Sequence, residues 1–151
     1  MAEFRGLLMA MVVVEIDLPF PVSEVWDELS KLERHADWMM DAERIDFASG
    51  QTRGVGTEMK VRTRVGPFVT EDVIEVREWT EGKSIGVSHR GLVTGVGVFV
   101  LLPTDDGTRF VWWEDLEFPW YLGGSITAWF ATPILKWIWT GNLNRFAKTL
   151  G

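Results

Sequence analysis

The stretch VFVLLPTDDGTRFVWWEDLEF, residues 98–118, decides the fold because it holds two apolar runs joined by a tight polar turn. An Asp-Gly pair between runs of β-branched and aromatic residues is the strongest short-range signal for a β-hairpin. Residues 105–107, Asp-Asp-Gly, supply that turn. The stretch therefore predicts two antiparallel strands, over about 98–102 and 108–118.

Three further strands are predicted before this hairpin. Along the first of them Met59, Val61 and Thr63 alternate with charged residues, which is the period of a strand with one solvated face. No helical pattern separates these strands, and parallel neighbours would need a long crossover between them. The segment therefore predicts an antiparallel meander whose earlier strands cover 57–65, 68–79 and 85–91.

The N-terminal part predicts a strand and two short helices. Residues 12–18 alternate like a half-buried strand, and two prolines follow. Ser23 is a candidate N-cap for an amphipathic helix, and Ser30 opens a capping box that predicts a second short helix ending near Trp38. The apolar stripe of the first helix is Val22, Val25, Trp26 and Leu29.

The C-terminal residues predict one long helix. The helical pattern begins at about Gly124, and Pro133 predicts a bend before the regular part. Residues 118–139 are long enough to span a bilayer, but the glycines, hydroxyl residues, proline and Lys136 among them favour a buried amphipathic helix. Its apolar stripe is Leu135, Trp139, Leu143, Phe146 and Leu150.

The length of 151 residues fits one ordinary domain. Met9 and Met11 are alternative starts, so residues 1–10 are expected to be a flexible extension and 11–151 the folded domain. A formal charge of −7, with no basic run longer than two residues, argues against a nucleic acid partner. We expect no integral membrane segment and a cytoplasmic location.

The chain has no cysteine, which removes disulfides, thiol nucleophiles and thiolate metal sites. With two histidines, a three-histidine metal site is impossible. A mixed set could superficially ligate a metal, but a solvated helix end and loop explain it better: His35, Asp37, Asp41 and Glu43. We therefore expect no metal, and the absence of a phosphate-binding glycine loop or redox motif predicts no cofactor.

The order of elements resembles the START-like helix-grip superfamily. The motifs that carry the resemblance across residues 11–150 are Pro21-Val22-Ser23-Glu24-Val25-Trp26, Trp38, Gly54-x-Gly56 and Gly107-Thr108-Arg109. The chain is most similar to the bacterial polyketide cyclase/dehydrase and lipid-transport group, also called SRPBCC. This resemblance implies an α+β helix-grip fold. In that fold a curved antiparallel sheet of about seven strands wraps the C-terminal helix, and an apolar cavity receives a hydrophobic ligand.

The hairpin register indicates which side chains face that cavity. A three-residue turn would pair Leu102 with Phe110, Val100 with Trp112 and Val98 with Glu114. This is the more apolar face, so we expect it to point inward with Glu114 among apolar residues. A lone buried carboxylate needs a partner or a raised pKa.

Arg90 is the expected partner if the Gly91–Gly95 turn pairs residue 90 with residue 96. A slip of one residue would place His89 inside instead. Arg90 would offer a fixed charge for a carboxylate, enolate or phenolate, whereas His89 would offer a proton donor or acceptor. The competing structural interpretation is an exposed cross-strand ion pair at a sheet end. Asp72 is either a further inward carboxylate or an exposed strand residue.

The nine tryptophans divide by element. Trp26 and Trp38 are expected to brace the helices. Trp113 is expected on the outer face beside Phe99 or Leu101, where an apolar patch would suit a homodimer or a membrane surface. The predicted ligand-binding residues are Met59, Val61, Arg90, Val98, Val100, Phe110, Trp112, Glu114, Trp129 and Trp137.

Three functions remain open from the sequence. The first is binding of a small hydrophobic ligand, aromatic polyketide-like or lipid-like, between sheet and helix. The second is a cyclase, aromatase or dehydratase that folds a polyketide and moves a proton through Glu114 or His89, with Arg90 stabilising an oxyanion. The third is a regulatory or toxin-like interaction module.

Overall fold

The structure, a computed structural model, describes the backbone of residues 9–118 and 124–151 and the side chains of residues 10–118 and 132–151. The elements in these residues belong to the α+β class. In chain order they are β1 (Met9–Leu18), α1 (Val22–Leu29), a 3-10 turn (Leu32–Arg34), α2 (His35–Trp38), β2 (Ala42–Phe47), β3 (Glu58–Val65), β4 (Phe68–Thr80), β5 (Ser84–Arg90), β6 (Thr94–Thr104), β7 (Gly107–Glu117) and α3 (Gly124–Thr149).

The seven strands form one curved antiparallel sheet in the order β1-β7-β6-β5-β4-β3-β2. Strands β2 to β7 follow one another along the sheet, and each runs antiparallel to the next. The first strand, β1, pairs with the last, β7, so β1 and β2 are the two edge strands of the sheet. The antiparallel meander and the helix-grip fold are both confirmed.

The first strand and helix follow the predicted apolar pattern. Val12 and Val14 are buried on β1, and Val25 and Leu29 are fully buried on α1. The predicted serine caps are wrong, because α1 begins at Val22 after Pro21 without a side-chain cap. The hydroxyl of Ser30 donates instead to the carbonyl of Asp27 at 3.4 Å. Burial of the apolar stripe therefore stabilises α1 without help from a cap.

The predicted register of the β6–β7 hairpin is wrong by one residue. Gly107 belongs to β7 and pairs with Thr104, so the turn has two residues rather than three. A Cβ at Gly107 would lie 2.1 Å from the carbonyl oxygen of Leu18, which explains why glycine stands at the start of this strand. Since neighbouring residues of a strand face opposite sides, the slip reverses the faces of β6.

The corrected register exchanges the inward residues of β6. Phe99 pairs with Trp112 and Leu101 with Phe110, and both β6 side chains are buried, at 9% and 2% exposure. Val98 and Val100 are half-buried on the opposite face, so their predicted place in the cavity wall is wrong. Phe99 and Leu101 equally cannot belong to the predicted outer patch.

One end of the inner face is filled by aromatic rings. Trp38 is fully buried, and its ring centroid lies 5.1 Å from that of Phe146 and 6.1 Å from that of Phe99. Phe110 packs edge-on against Phe146 at 5.1 Å. Such pairs add to the large apolar burial of each ring. The cluster joins α2, β6, β7 and α3 into one core, which agrees with a structural role for Trp38.

The apolar stripe of α3 faces the sheet as predicted. Trp139, Leu143 and Phe146 are buried, whereas Trp137 is 78% exposed. A position two residues from a stripe residue lies on a different face of a helix, so the prediction of Trp137 as a pocket residue is wrong. The side chain of Trp129 lies outside the described residues.

Two predictions concern the ends of the chain and the membrane. The predicted extension over residues 1–10 falls mostly outside the described residues, and β1 already begins at Met9. In the parts of the chain that the structure covers, no helix has the length and apolar character needed to cross a bilayer.

Candidate functional site

A buried acid–base pair lies on the inner face, beside the aromatic cluster. His89 on β5 and Glu114 on β7 approach each other across β6, with 2.8 Å between Nε2 and Oε2. The residues of β6 opposite them are Gly95 and Gly97. Because neither glycine has a side chain, the imidazole and the carboxylate meet directly over the intervening strand.

Gly97 makes room for the carboxylate. A Cβ at this position would lie 2.5 Å from the carboxyl carbon of Glu114, well inside van der Waals contact. The glycine-spaced stretch that precedes the hairpin is therefore part of the site. In the sequence it looks like a flexible turn, and only the register shows that Gly97 faces an acid.

Glu114 has a hydrogen-bond donor on each carboxylate oxygen. Its side chain accepts from Trp112 Nε1 at Oε1, over 3.0 Å, and from His89 Nε2 at Oε2. Glu114 is 5% exposed. The ring of Trp112 stacks on Trp139 of α3 with centroids 4.7 Å apart and planes 15° apart. The predicted inward positions of Trp112 and Glu114 are confirmed.

The pKa of His89 is raised above its usual value. Burial by itself lowers the pKa of His89, but the hydrogen bond and charge of Glu114 and the charge of Asp72 outweigh burial and raise it above its usual value. Within the described residues Nδ1 has no hydrogen-bond partner. This nitrogen can therefore accept a hydrogen bond when the ring is neutral and donate one when the ring is protonated.

Asp72 on β4 is a second buried carboxylate near His89. Its Oδ2 accepts from the Thr70 hydroxyl and its Oδ1 from the backbone nitrogen of Leu92, each at 3.0 Å. A Cβ at Gly91 would lie 1.9 Å from Oδ1, so glycine again makes room for an acid. Of the two predictions for Asp72, the inward one is confirmed.

Arg90 is not the partner of Glu114. It pairs with Val73 on the outer face, where its guanidinium lies 3.4 Å from Glu58 and its side chain is 58% exposed. The register places His89 opposite Gly95, not Arg90 opposite Val96. The predicted inward position of Arg90 is therefore wrong, and the alternative register with His89 inside is confirmed.

The other predicted inward residues are mostly buried where expected. Met59, Val61 and Phe110 all lie in the core on the inner face. Among the predicted ligand-binding residues with described side chains, four lie elsewhere: Arg90, Val98, Val100 and Trp137.

The second histidine has a structural role. His35 Nε2 donates to the carbonyl of Leu29 at 2.7 Å, and its ring lies 5.0 Å from that of Trp38. Burial lowers the pKa of His35 to about 4, so the ring is neutral at physiological pH. No group of metal-ligating side chains occurs within residues 10–118 and 132–151.

A buried polar network that the sequence analysis missed holds Trp139 in place. Asn142 is fully buried and donates to Asp41 Oδ1 at 2.7 Å, while Trp139 Nε1 donates to Asp41 Oδ2 at 3.2 Å. The amide oxygen of Asn142 accepts from the backbone of Met40 at 3.1 Å. The available signal was an asparagine three residues after Trp139 on the apolar stripe of α3.

A shallow groove of about 350 Å³ lies at the β2 end of the sheet. Its lining includes three charged residues, Asp46, Glu58 and Lys60. Apolar ligand sites contain few polar groups, so this groove is a poor candidate beside the inner face.

The comparison with protein families identifies the chain. A family model described as polyketide cyclase/dehydrase and lipid transport matches residues 9–151. The chain belongs to this family. The match covers the sheet, α3 and both members of the His89–Glu114 pair. The recognition of the group from sequence motifs is confirmed.

Solved structures similar to this polyketide cyclase/dehydrase family member confirm the fold. TTHA0849 from Thermus thermophilus has a TM-score of 0.80 at 18% identity and covers 91% of this chain and 94% of its own. The ZhuI aromatase/cyclase from Streptomyces sp. R1128 has a TM-score of 0.74 at 14% identity, covering 93% of both chains. Ara h 8.0201 has a TM-score of 0.66 at 12% identity, covering 93% of this chain and 97% of its own.

These identities establish a shared fold and no more. The search of curated proteins found no match. The function of this member of the polyketide cyclase/dehydrase family therefore depends on its own side chains. The inner face carries mostly apolar side chains around the His89–Glu114 pair, and Nδ1 of His89 has no hydrogen-bond partner among the described residues.

Proposed function

We propose that the protein binds a small hydrophobic ligand, aromatic polyketide-like or lipid-like, between the inner face of the sheet and α3. The observation that carries this proposal is the buried His89–Glu114 pair, with Asp72 close by, on a face whose other buried residues are mostly apolar. A few converging polar groups in an apolar concavity are typical of ligand sites, and perturbed histidines concentrate there. The pair would fix the orientation of the ligand.

The packing around the pair supports this location. Ile74, opposite His89 on β4, and Val87, on β5, remain half-buried although they face inward. At the aromatic end, Phe110 and Phe146 are fully buried. A ligand that covered the half-buried side chains would gain about 25 cal/mol for each Å² of apolar surface removed from water.

A tryptophan fluorescence titration tests the proposal. The probes are a fatty acid, a sterol and an aromatic polyketide, added to the wild-type protein and to two single variants. A saturable signal that persists in Trp137→Phe and is reduced in Trp112→Phe supports binding at the inner face, because Trp137 is exposed and Trp112 contacts Glu114. No saturable response to any probe would count against the proposal.

A second candidate is a cyclase, aromatase or dehydratase-type enzyme. The specific observation in its favour is His89, which Glu114 orients through Nε2 and whose Nδ1 has no partner among the described residues. A base positioned by a carboxylate is suited to proton transfer while the cavity holds a flexible chain in a reactive conformation. The proposed oxyanion role of Arg90 is dropped, because Arg90 lies on the outer face.

Turnover of a linear polyketide thioester mimic tests the enzyme candidate. His89→Ala and Glu114→Gln should each abolish it, and Arg90→Ala, an exposed control, should leave it unchanged. Activity that survives both inward substitutions would exclude this mechanism. For the regulatory or toxin-like alternative, the described residues provide no specific contact in support.

Homodimerisation through the outer face stays a prediction with a changed set of residues. Trp113 lies on that face between Val13 and Val98, which replace Phe99 and Leu101 as its apolar neighbours. Sedimentation at rising protein concentration tests it, and a concentration-independent monomer would contradict it. The cytoplasmic location also stays a prediction, and cell fractionation tests it.

A further inference from the structure

The charges around His89 restrict the chemistry of the ligand. Two buried carboxylates lie close to the ring: Glu114 at 2.8 Å, and Asp72, whose charge also reaches the imidazole. Counted as formal charges of two ionised carboxylates and the ring, these three groups sum to −1 when His89 is protonated. They sum to −2 when His89 is neutral, so the formal charge is negative in either state of the ring.

Within the part of the chain that the structure describes, no fixed positive charge offsets these acids. Among the described residues no lysine or arginine is buried; of the other residues, 119–131 contain neither type and 1–9 contain one arginine, Arg5. Arg90 lies on the outer face, and the guanidinium of Arg145 is bonded to the carbonyl of Trp38 and the amide of Asn142. A ligand carboxylate would thus approach two acids with only His89 to attract it.

The two carboxylates already accept hydrogen bonds from the protein itself. Both oxygens of Glu114 and both oxygens of Asp72 accept hydrogen bonds from protein donors. Among the described residues, His89 Nδ1 is the nitrogen of this cluster that has no hydrogen-bond partner. A hydroxyl group can donate to this nitrogen or accept from it, so it matches both protonation states of the ring. A carbonyl oxygen matches the protonated state.

We infer that the ligand presents a neutral hydrogen-bonding group, a phenol, alcohol or ketone, to His89 Nδ1, and that the site discriminates against free carboxylic acids. This inference rests on the binding function proposed above. It separates polyketide-like phenols and ketones and neutral lipids from free fatty acids as ligand classes. It also replaces the expectation of an inward arginine that would hold an anion.

Matched ligand pairs test the inference. The probes are naphthol against naphthoate and dodecanol against dodecanoate, measured by calorimetry at neutral pH with the wild-type protein. Each pair shares its apolar body and differs in charge. We expect the neutral member of each pair to bind at least about tenfold more tightly.

Two charge-matched variants locate the effect. Glu114→Gln removes one inward charge and should reduce the difference in affinity between the neutral ligand and its carboxylate partner. Glu71→Gln removes one charge from the exposed outer side and should leave this difference in affinity unchanged. A carboxylate that binds the wild-type protein as tightly as its neutral partner would overturn the inference and leave the binding function standing. If no probe of either pair binds, the binding function fails and the inference fails with it.

Discussion

The chain has two histidines, His35 in the aromatic cluster and His89 beside Glu114, and their surroundings shift the pKa of the ring in opposite directions. At the aromatic end burial lowers the pKa of His35 to about 4. At the other end His89 is also largely buried, yet Glu114 and Asp72 raise its pKa. Burial penalises the charged ring at both positions, so the carboxylate partners decide the direction of the shift.

The two rings also differ in their contacts and hydrogen-bond partners. His35 contacts aromatic rings and a backbone carbonyl, and both His35 and Trp38 beside it are buried. His89 has a bonded acid on one nitrogen and no described partner on the other. The aromatic end therefore contributes stability, whereas the acidic end keeps a reactive group available at some energetic cost.

The largest expected effect is the loss of a ring at the aromatic end. Phe146→Ala should lower the free energy of unfolding by about 3–5 kcal/mol, because Phe146 is fully buried against Trp38 and Phe110. Trp137→Ala on the exposed side of the same helix should change it little. Denaturant unfolding of both variants measures the difference, and equal losses would contradict the assignment of the core.

The next effect is acid sensitivity caused by His35. Its pKa is about 4 in the folded protein and about 6.5 when unfolded, so the unfolded state binds more protons between these values. Stability should fall as the pH drops through this window, by about 3 kcal/mol in total. Unfolding curves at a series of pH values should show a smaller drop in His35→Gln. An unchanged drop would mean that His35 is not the titrating group.

A smaller effect is expected from Gly97→Ala. The new methyl group would collide with the Glu114 carboxylate, at a cost of about 1–3 kcal/mol, and should displace the acid and lower the pKa of His89. Gly50→Ala is the matched control, since nothing lies within 4 Å of a Cβ there. Thermal unfolding and NMR titration compare the two variants. A variant at Gly97 that behaves like the Gly50 control would contradict the close approach.

The smallest expected effect is the pH dependence of stability caused by His89, which is opposite in direction to that caused by His35. The folded-state pKa of His89 is raised, so its ion pair stabilises fully below about 6.5, the unfolded value, and is lost as the pH rises through the folded value. The stability difference between wild type and His89→Gln should therefore shrink towards alkaline pH. A difference that grows would reverse the sign and contradict the pairing.

Alternation along β3 and the Asp-Gly turn were enough to predict the sheet, because both are local signals. The strand β2 was not located, since Ala42–Phe47 offers only two large apolar residues, Ile45 and Phe47, between charged ones. On β7 the more apolar face was chosen correctly, which placed Trp112 and Glu114 inside.

The residues of β5 and β6 that face inward could not be predicted from local patterns. Their faces depended on the length of one turn, and the pairing of Gly107 with Thr104 shifted them by one residue. That shift removed Val98 and Val100 from the inner face. The contact of Asn142 with Asp41 joins residues about a hundred positions apart, so no local pattern could reveal it.

The central claim is that Glu114 holds His89 as the polar anchor of an apolar site. NMR titration of the two histidine rings tests it in the wild-type protein and in Glu114→Gln, with His35→Gln assigning the signals. We expect one ring with a pKa near 4 and one with a pKa above the usual value of about 6.5, and Glu114→Gln should lower only the second pKa. A second ring that titrates below about 6.5 in the wild type, or that ignores Glu114→Gln, would contradict the claim.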